Sequence, residues 1–166
     1  MKILLLVRHA KSEWGNAALD DFDRPLNERG KKDAPAMAER LLGKKIKIEA
    51  FIASPAKRAK KTASIFASAY KKNKEDIIFR DELYGAPENV FYDVITTTDN
   101  KFDSIAVFSH NPGITDFANL LTDTRIDNIP TCGVFAIKVE CNKWSGFKDS
   151  TKEFWFFDYP KSGLDQ

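Results

Sequence analysis

Arg8 and His9 follow directly on the apolar run Leu4-Leu5-Leu6-Val7, and Ser109-His110-Asn111 follows Val107-Phe108 in the same way. His9 and His110 are the only histidines in a chain of 166 residues. An apolar run that breaks off into polar residues reads as a buried strand delivering side chains to the lip of a sheet. Two histidines at the ends of two such strands point to one site. Arg58 stands four residues after Ser54, where another apolar run ends, at the start of a helical pattern. Guanidinium forks fit phosphate, and helix-start N–H groups point at anions. The chemistry suggested by Arg8, His9, Arg58 and His110 together is therefore recognition of a phosphate-like anion.

The elements that must position these residues follow from periodicity. A first strand is predicted over residues 2–7, apolar on both faces as a central parallel strand should be. Residues 8–24 are polar and aperiodic, a long loop. Asn27 is a fitting N-cap for a helix whose apolar stripe is Ala34, Met37, Ala38, Leu41 and Leu42, with a kink or break expected at Pro35. Strands are predicted over 49–54, 77–79, 104–108, 133–139 and 152–157. Helices are predicted over about 56–70, 87–97 and 113–121, and a turn near Trp144-Ser145-Gly146. On the 56–70 helix Arg58 and Thr62 share a face. Strands alternating with helices predict an α/β fold with a mostly parallel central sheet and helices on both faces. No repeat, linker or low-complexity segment interrupts it, so a single domain over 1–166 is expected.

Composition sets outer limits. Apolar and charged fractions of 43% and 30% are those of an ordinary globular chain. A net charge of +2 is too small to argue for nucleic acid or a membrane surface. Cys132 and Cys141 form no disulfide framework or metal spacing and read as reduced thiols. No segment has the length of a signal core or a membrane span, and a cytoplasmic protein is expected.

Leu6-Val7-Arg8-His9-Ala10-Lys11-Ser12 resembles the Arg-His-Gly/Ala signature of the histidine phosphatase superfamily, the phosphoglycerate mutase-like fold. Asn16, Asp23-Arg24-Pro25-Leu26 with Arg29-Gly30, Ser54-Pro55 with Arg58 and Thr62, and Ser109-His110-Asn111-Pro112-Gly113 match in order. The form Arg-His-Ala-Lys-Ser and the short chain resemble the SixA branch of phosphohistidine phosphatases. The resemblance spans about residues 2–115; the chain beyond adds only a generic strand pair.

The resemblance implies a phosphatase in which His9 is the nucleophile, carrying the phosphoryl group before water takes it. Neutral imidazole is required there, with the non-attacking nitrogen held by a backbone hydrogen bond. Arg8, Arg58 and His110 would grip the phosphoryl oxygens, His110 protonated and its pKa raised by the phosphate dianion. Asn16 and Asn111 are further phosphate-binding candidates, and Ser12 and Thr62 read as supporting or capping residues. Asp20, Asp21 and Asp23 read as solvated, Asp23 within reach of Arg24 or Arg29. Glu82 is the candidate general acid, against a plain turn carboxylate. No metal or cofactor is implied.

Only about thirty residues separate Tyr70 from the Ser104 strand, which leaves little chain for a lid. The expected pocket is shallow and open, with Tyr84, Tyr92 and Phe91 near its rim and Phe91 more suited to the core. Such a pocket suits a phosphorylated protein side chain or a range of small phosphoesters. The leading expectation is a metal-independent protein phosphohistidine phosphatase. The alternatives are a small-molecule phosphomonoesterase or mutase of the same fold, and a non-catalytic phosphate-binding module. A monomer is expected.

Overall fold

The computed structural model describes residues 1–165. The elements run β1 (Lys2–Arg8), α1 (Glu28–Gly43), β2 (Ala50–Ala53), α2 (Lys57–Ala69), β3 (Ile78–Phe79), α3 (Glu88–Thr96), β4 (Ser104–Ser109), α4 (Gly113–Leu121), β5 (Val134–Val139) and β6 (Lys152–Asp158), joined by loops and short 3-10 turns. Six strands form one sheet in the order β3-β2-β4-β1-β5-β6. β1 lies parallel to β4, β4 to β2 and β2 to β3, while β5 is antiparallel to both β1 and β6.

Alternation along β1 divides the core in two. Leu5 and Val7 face the apolar stripes of α1 and α2, including Met37, Leu41 and Phe66. Leu4 and Leu6 face α3 and α4, where Phe91, Ile114 and Phe117 pack with Trp144 and Phe147. Both faces are buried, which is why the central strands read as continuous apolar runs. Phe91 is fully buried in this second layer.

Asn27 caps α1 as expected, its side chain accepting from Gly30 N at 2.9 Å. The expected break at Pro35 does not occur: α1 runs unbroken from Glu28 to Gly43. Pro35 is on the exposed side of the helix, so the carbonyl it leaves unbonded is on the side where water can serve it. Gly30 permits a close approach of this helix to the loop after β1, since a Cβ there would lie 2.1 Å from the Lys11 carbonyl oxygen. Gly113 does the same at the start of α4, where a Cβ would lie 1.9 Å from the Ala86 carbonyl oxygen.

The register of the parallel pair decides where the histidines meet. Arg8 is level with Ser109, and His9 N donates to the Ser109 carbonyl at 3.1 Å. His9 and His110 therefore emerge side by side at the carboxyl ends of adjacent strands, where open α/β sheets bind ligands.

Candidate active site

The His9 and His110 rings stand with centroids 5.1 Å apart at the base of a cleft of about 590 Å³. Arg8, Arg58 and Asn111 also line it, so the sheet edge brings together the four residues that the sequence singled out first.

The surroundings of His9 select its tautomer. Nδ1 is 2.8 Å from the Ala10 carbonyl oxygen, which can only accept, so Nδ1 carries the hydrogen. Nε2 receives Arg58 Nε–H at 3.4 Å, and a guanidinium can only donate, so Nε2 presents its lone pair. Burial pushes the His9 pKa down to about 3, with His110, Arg58 and Arg8 adding to the shift against the Ala10 hydrogen bond. A neutral imidazole with Nε2 unprotonated is a nucleophile's state.

His110 Nε2 is 2.7 Å from Ser54 Oγ, while His110 Nδ1 is buried without a partner among the described residues. Burial first, then Arg58, push the His110 pKa down to about 4, against Asp21. The raised value anticipated for His110 is thus not a property of the protein alone; a phosphate dianion would have to overcome this shift. Arg8 donates from Nη1 to the Ile129 carbonyl at 3.0 Å, but its buried Nε has no partner among the described residues. Burial and the nearby Arg58 lower the Arg8 pKa. Two arginines and two histidines in one partly buried cleft, two of their nitrogens unbonded, favour an anionic ligand.

Thr62 ties strand end to helix. Its Oγ1 accepts from Ala10 N at 2.9 Å and donates to the Arg58 carbonyl at 2.7 Å, fixing the turn after His9 against α2. Ser12 lines the cleft and accepts from Arg24 Nη1 at 2.9 Å.

Several expectations need correction. Asp21 is not simply solvated. Its Oδ2 accepts from Arg58 Nη2 at 3.0 Å and from Tyr84 Oη at 2.6 Å, and its Oδ1 from Arg24 Nε at 3.1 Å. The Tyr84 hydroxyl and the two arginines hold this carboxyl far below the usual carboxylate range. The bond to Asp21 in turn raises the Tyr84 pKa. Glu82 lies outside the cleft, exposed and paired with Arg80. Asn16 also lies outside it, its Oδ1 accepting from its own loop at Ala18 N. Asn111 lines the cleft, but its amide is committed: Nδ2 donates to Asn128 Oδ1 and the Ile129 carbonyl, and Oδ1 accepts from Thr115 Oγ1. Tyr84 reaches the cleft, whereas Tyr92 packs on Phe117 in the core.

The segment before β5 is more than a generic connection. Thr131 lines the cleft, and Cys132 N, at a positive φ of 62°, reaches the carbonyls of both Arg8 and His9 at 3.0 Å. The only sequence trace of it is the Pro130 and Gly133 turn pair. At the mouth, Trp14 is 73% exposed with the Arg24 guanidinium 3.8 Å from its ring centroid. Among the described residues no group of three or more His, Cys, Asp and Glu side chains is placed to hold a metal ion, and no helix is long and apolar enough to cross a membrane.

The family model of the histidine phosphatase superfamily (branch 1) matches residues 4–97. The chain belongs to this superfamily. This histidine phosphatase is 26% identical over 149 residues to an uncharacterized chloroplastic protein of Arabidopsis thaliana, covering 85% of this chain and 68% of that one. Its fold is that of the SixA structure from Agrobacterium tumefaciens, with a TM-score of 0.81 at 22% identity over 96% of this chain and 98% of that one. The protein histidine phosphatase SixA complexed with tungstate gives the same TM-score at 21% identity, over 96% and 98% of the two chains. The superfamily makes the chain a phosphatase.

Proposed function

We propose that this phosphatase is a protein phosphohistidine phosphatase, a single domain that works without a metal ion through a phosphorylated His9. The observation that carries the substrate class is the state of Asp21, the one carboxyl among the described residues that lines the cleft, which three donors hold ionised. An alcohol leaves a phosphate ester poorly unless an acid protonates it. Asp21 has no proton to give, and Glu82 is outside the cleft. The imidazole of a phosphohistidine, protonated on its distal nitrogen, leaves neutral and needs no such acid.

In the first step His9 Nε2 bonds to phosphorus as the phosphorus–nitrogen bond to the substrate imidazole breaks, and the electron pair departs with that imidazole. In the second, water attacks phosphorus, the bond to Nε2 breaks, and inorganic phosphate leaves with the water's oxygen. Arg8, Arg58 and His110 take the equatorial oxygens, where charge is spread in the transition state. His110 does so through Nδ1, the nitrogen left free by Ser54. The open mouth beside Trp14 suits a side chain presented by a folded partner.

The test is phosphate release in EDTA from a phosphohistidine protein and from a panel of phosphomonoesters, with His9→Ala alongside. The expected result is EDTA-resistant turnover that prefers phosphohistidine, and a fall on the order of 10⁴ in kcat for the variant. A preference for phosphomonoesters would overturn the substrate class. Phosphate binding without turnover would overturn the enzyme.

A further inference from the structure

Beside the cleft lies a second groove, of about 640 Å³, lined by Lys31, Lys57, Lys60, Lys61 and Lys74. Asp23 is the acidic residue of that lining, so five lysines against one carboxylate leave it at +4, in a chain whose whole net charge is +2. Among the described residues Lys57, Lys60, Lys61 and Lys74 take part in no ion pair, and Lys31 meets only the exposed Glu28 at 3.5 Å. Lys60 Nζ lies 5.6 Å from the Phe79 ring centroid, but with so few carboxylates at hand the gathered like charges repel one another, a cost that a matching anionic surface would relieve.

Helix α2 serves both hollows. Arg58 and Thr62, four residues apart, face the strand ends, while Lys57, Lys60, Lys61 and Ser64 form the neighbouring stripe along the groove. The turn at residues 21–23 is the wall between: Asp21 lines the cleft, Phe22 and Asp23 the groove. The groove also has an apolar side, with Pro25, Leu26 and Pro55 beside the partly exposed Phe22.

We propose that this groove docks an acidic segment of the phosphorylated protein partner, with an apolar side chain of that segment on the Phe22 and Pro55 side. The lysine stripe calls for carboxylates, and the apolar lining calls for a polypeptide, since inorganic polyphosphate has nothing to bury there. The biological sense of this inference rests on the protein-substrate reading above, but its test does not.

The probe is a dye-labelled peptide of glutamate and leucine without phosphate, followed by fluorescence anisotropy. Binding is expected to weaken several-fold between about 50 and about 300 mM salt. It is expected to weaken at least about tenfold in the triple variant Lys57→Glu, Lys60→Glu, Lys61→Glu. Should that variant misfold by circular dichroism, the corresponding triple alanine variant carries the test, with an expected loss of about threefold. Saturating inorganic phosphate is expected to leave peptide binding intact; displacement would place the peptide in the cleft and overturn the proposal. Failure to bind, or binding indifferent to the lysine changes, would also overturn it, as would preference for inorganic polyphosphate or single-stranded RNA. Peptide binding without phosphohistidine turnover would sink the substrate reading alone, and the reverse would sink the groove alone.

Discussion

Arg58 holds Asp21 at two points, Nη1 donating to its backbone carbonyl at 2.6 Å and Nη2 to its carboxylate at 3.0 Å. The guanidinium that also reaches His9 Nε2 is therefore fastened to the long loop after β1. Asp21 orients Arg58, and its negative charge opposes an incoming dianion.

Replacing Asp21 by Asn separates these effects. Removing one charge from a water-exposed position near a dianion is worth about 1 kcal/mol, or about fivefold in affinity. The Asp21→Asn variant is expected to show a KM for phosphomonoesters about fivefold lower, with a reduced kcat because Arg58 is less firmly held. Steady-state kinetics checks this. A higher KM would mean that orientation outweighs repulsion.

Glu82, exposed and paired with Arg80, is expected to be dispensable. Glu82→Gln should retain kcat within about twofold on phosphohistidine and phosphomonoester alike, since surface ion pairs contribute little. A selective collapse on phosphomonoesters would restore it as a proton donor.

Thr62 is fully buried and is the acceptor for Ala10 N. Thr62→Val keeps the shape but orphans that N–H, at a cost of about 1–3 kcal/mol. Denaturant unfolding should register the loss. Thr62→Ser should recover most of it together with kcat, which a merely volumetric effect would not do.

The histidines give the stability a pH dependence of definite sign. Both are held below the ordinary 6.5, His110 at about 4 and His9 at about 3. As pH falls below about 6.5 the unfolded chain takes up these protons while the folded chain does not, so stability is lost until the folded values are reached. The depressed carboxylates Asp21 and Asp158 act in a lower window, beginning near their ordinary 3.8. The melting temperature is expected to drop between pH 7 and pH 4.5, and less so in His110→Gln. Equal slopes in the two proteins would contradict the burial of His110 as a neutral ring.

Much of this protein is legible along the chain. Apolar runs on both faces of β1 and β4 call for a sheet covered on both sides, and the alternation of strands with helices makes it mostly parallel. Polar residues that break those runs, Arg8-His9 and Ser109-His110, had to surface at one edge, and Arg58 at a helix start had to lie near them. What folding alone decided is what depends on partners distant in sequence. Asp21 looks like any loop aspartate until tertiary packing sets Arg58 and Tyr84 against it, 37 and 63 residues away along the chain. Glu82 sits on a promising turn, yet its side chain goes to Arg80 and misses the cleft. Asn111 is spent on Asn128, Ile129 and Thr115. Periodicity encodes which face a residue takes because burial repeats with the backbone geometry. A side-chain hydrogen bond has no period, and so Asp21, Glu82 and Asn111 acquired their surroundings only when the chain closed around them.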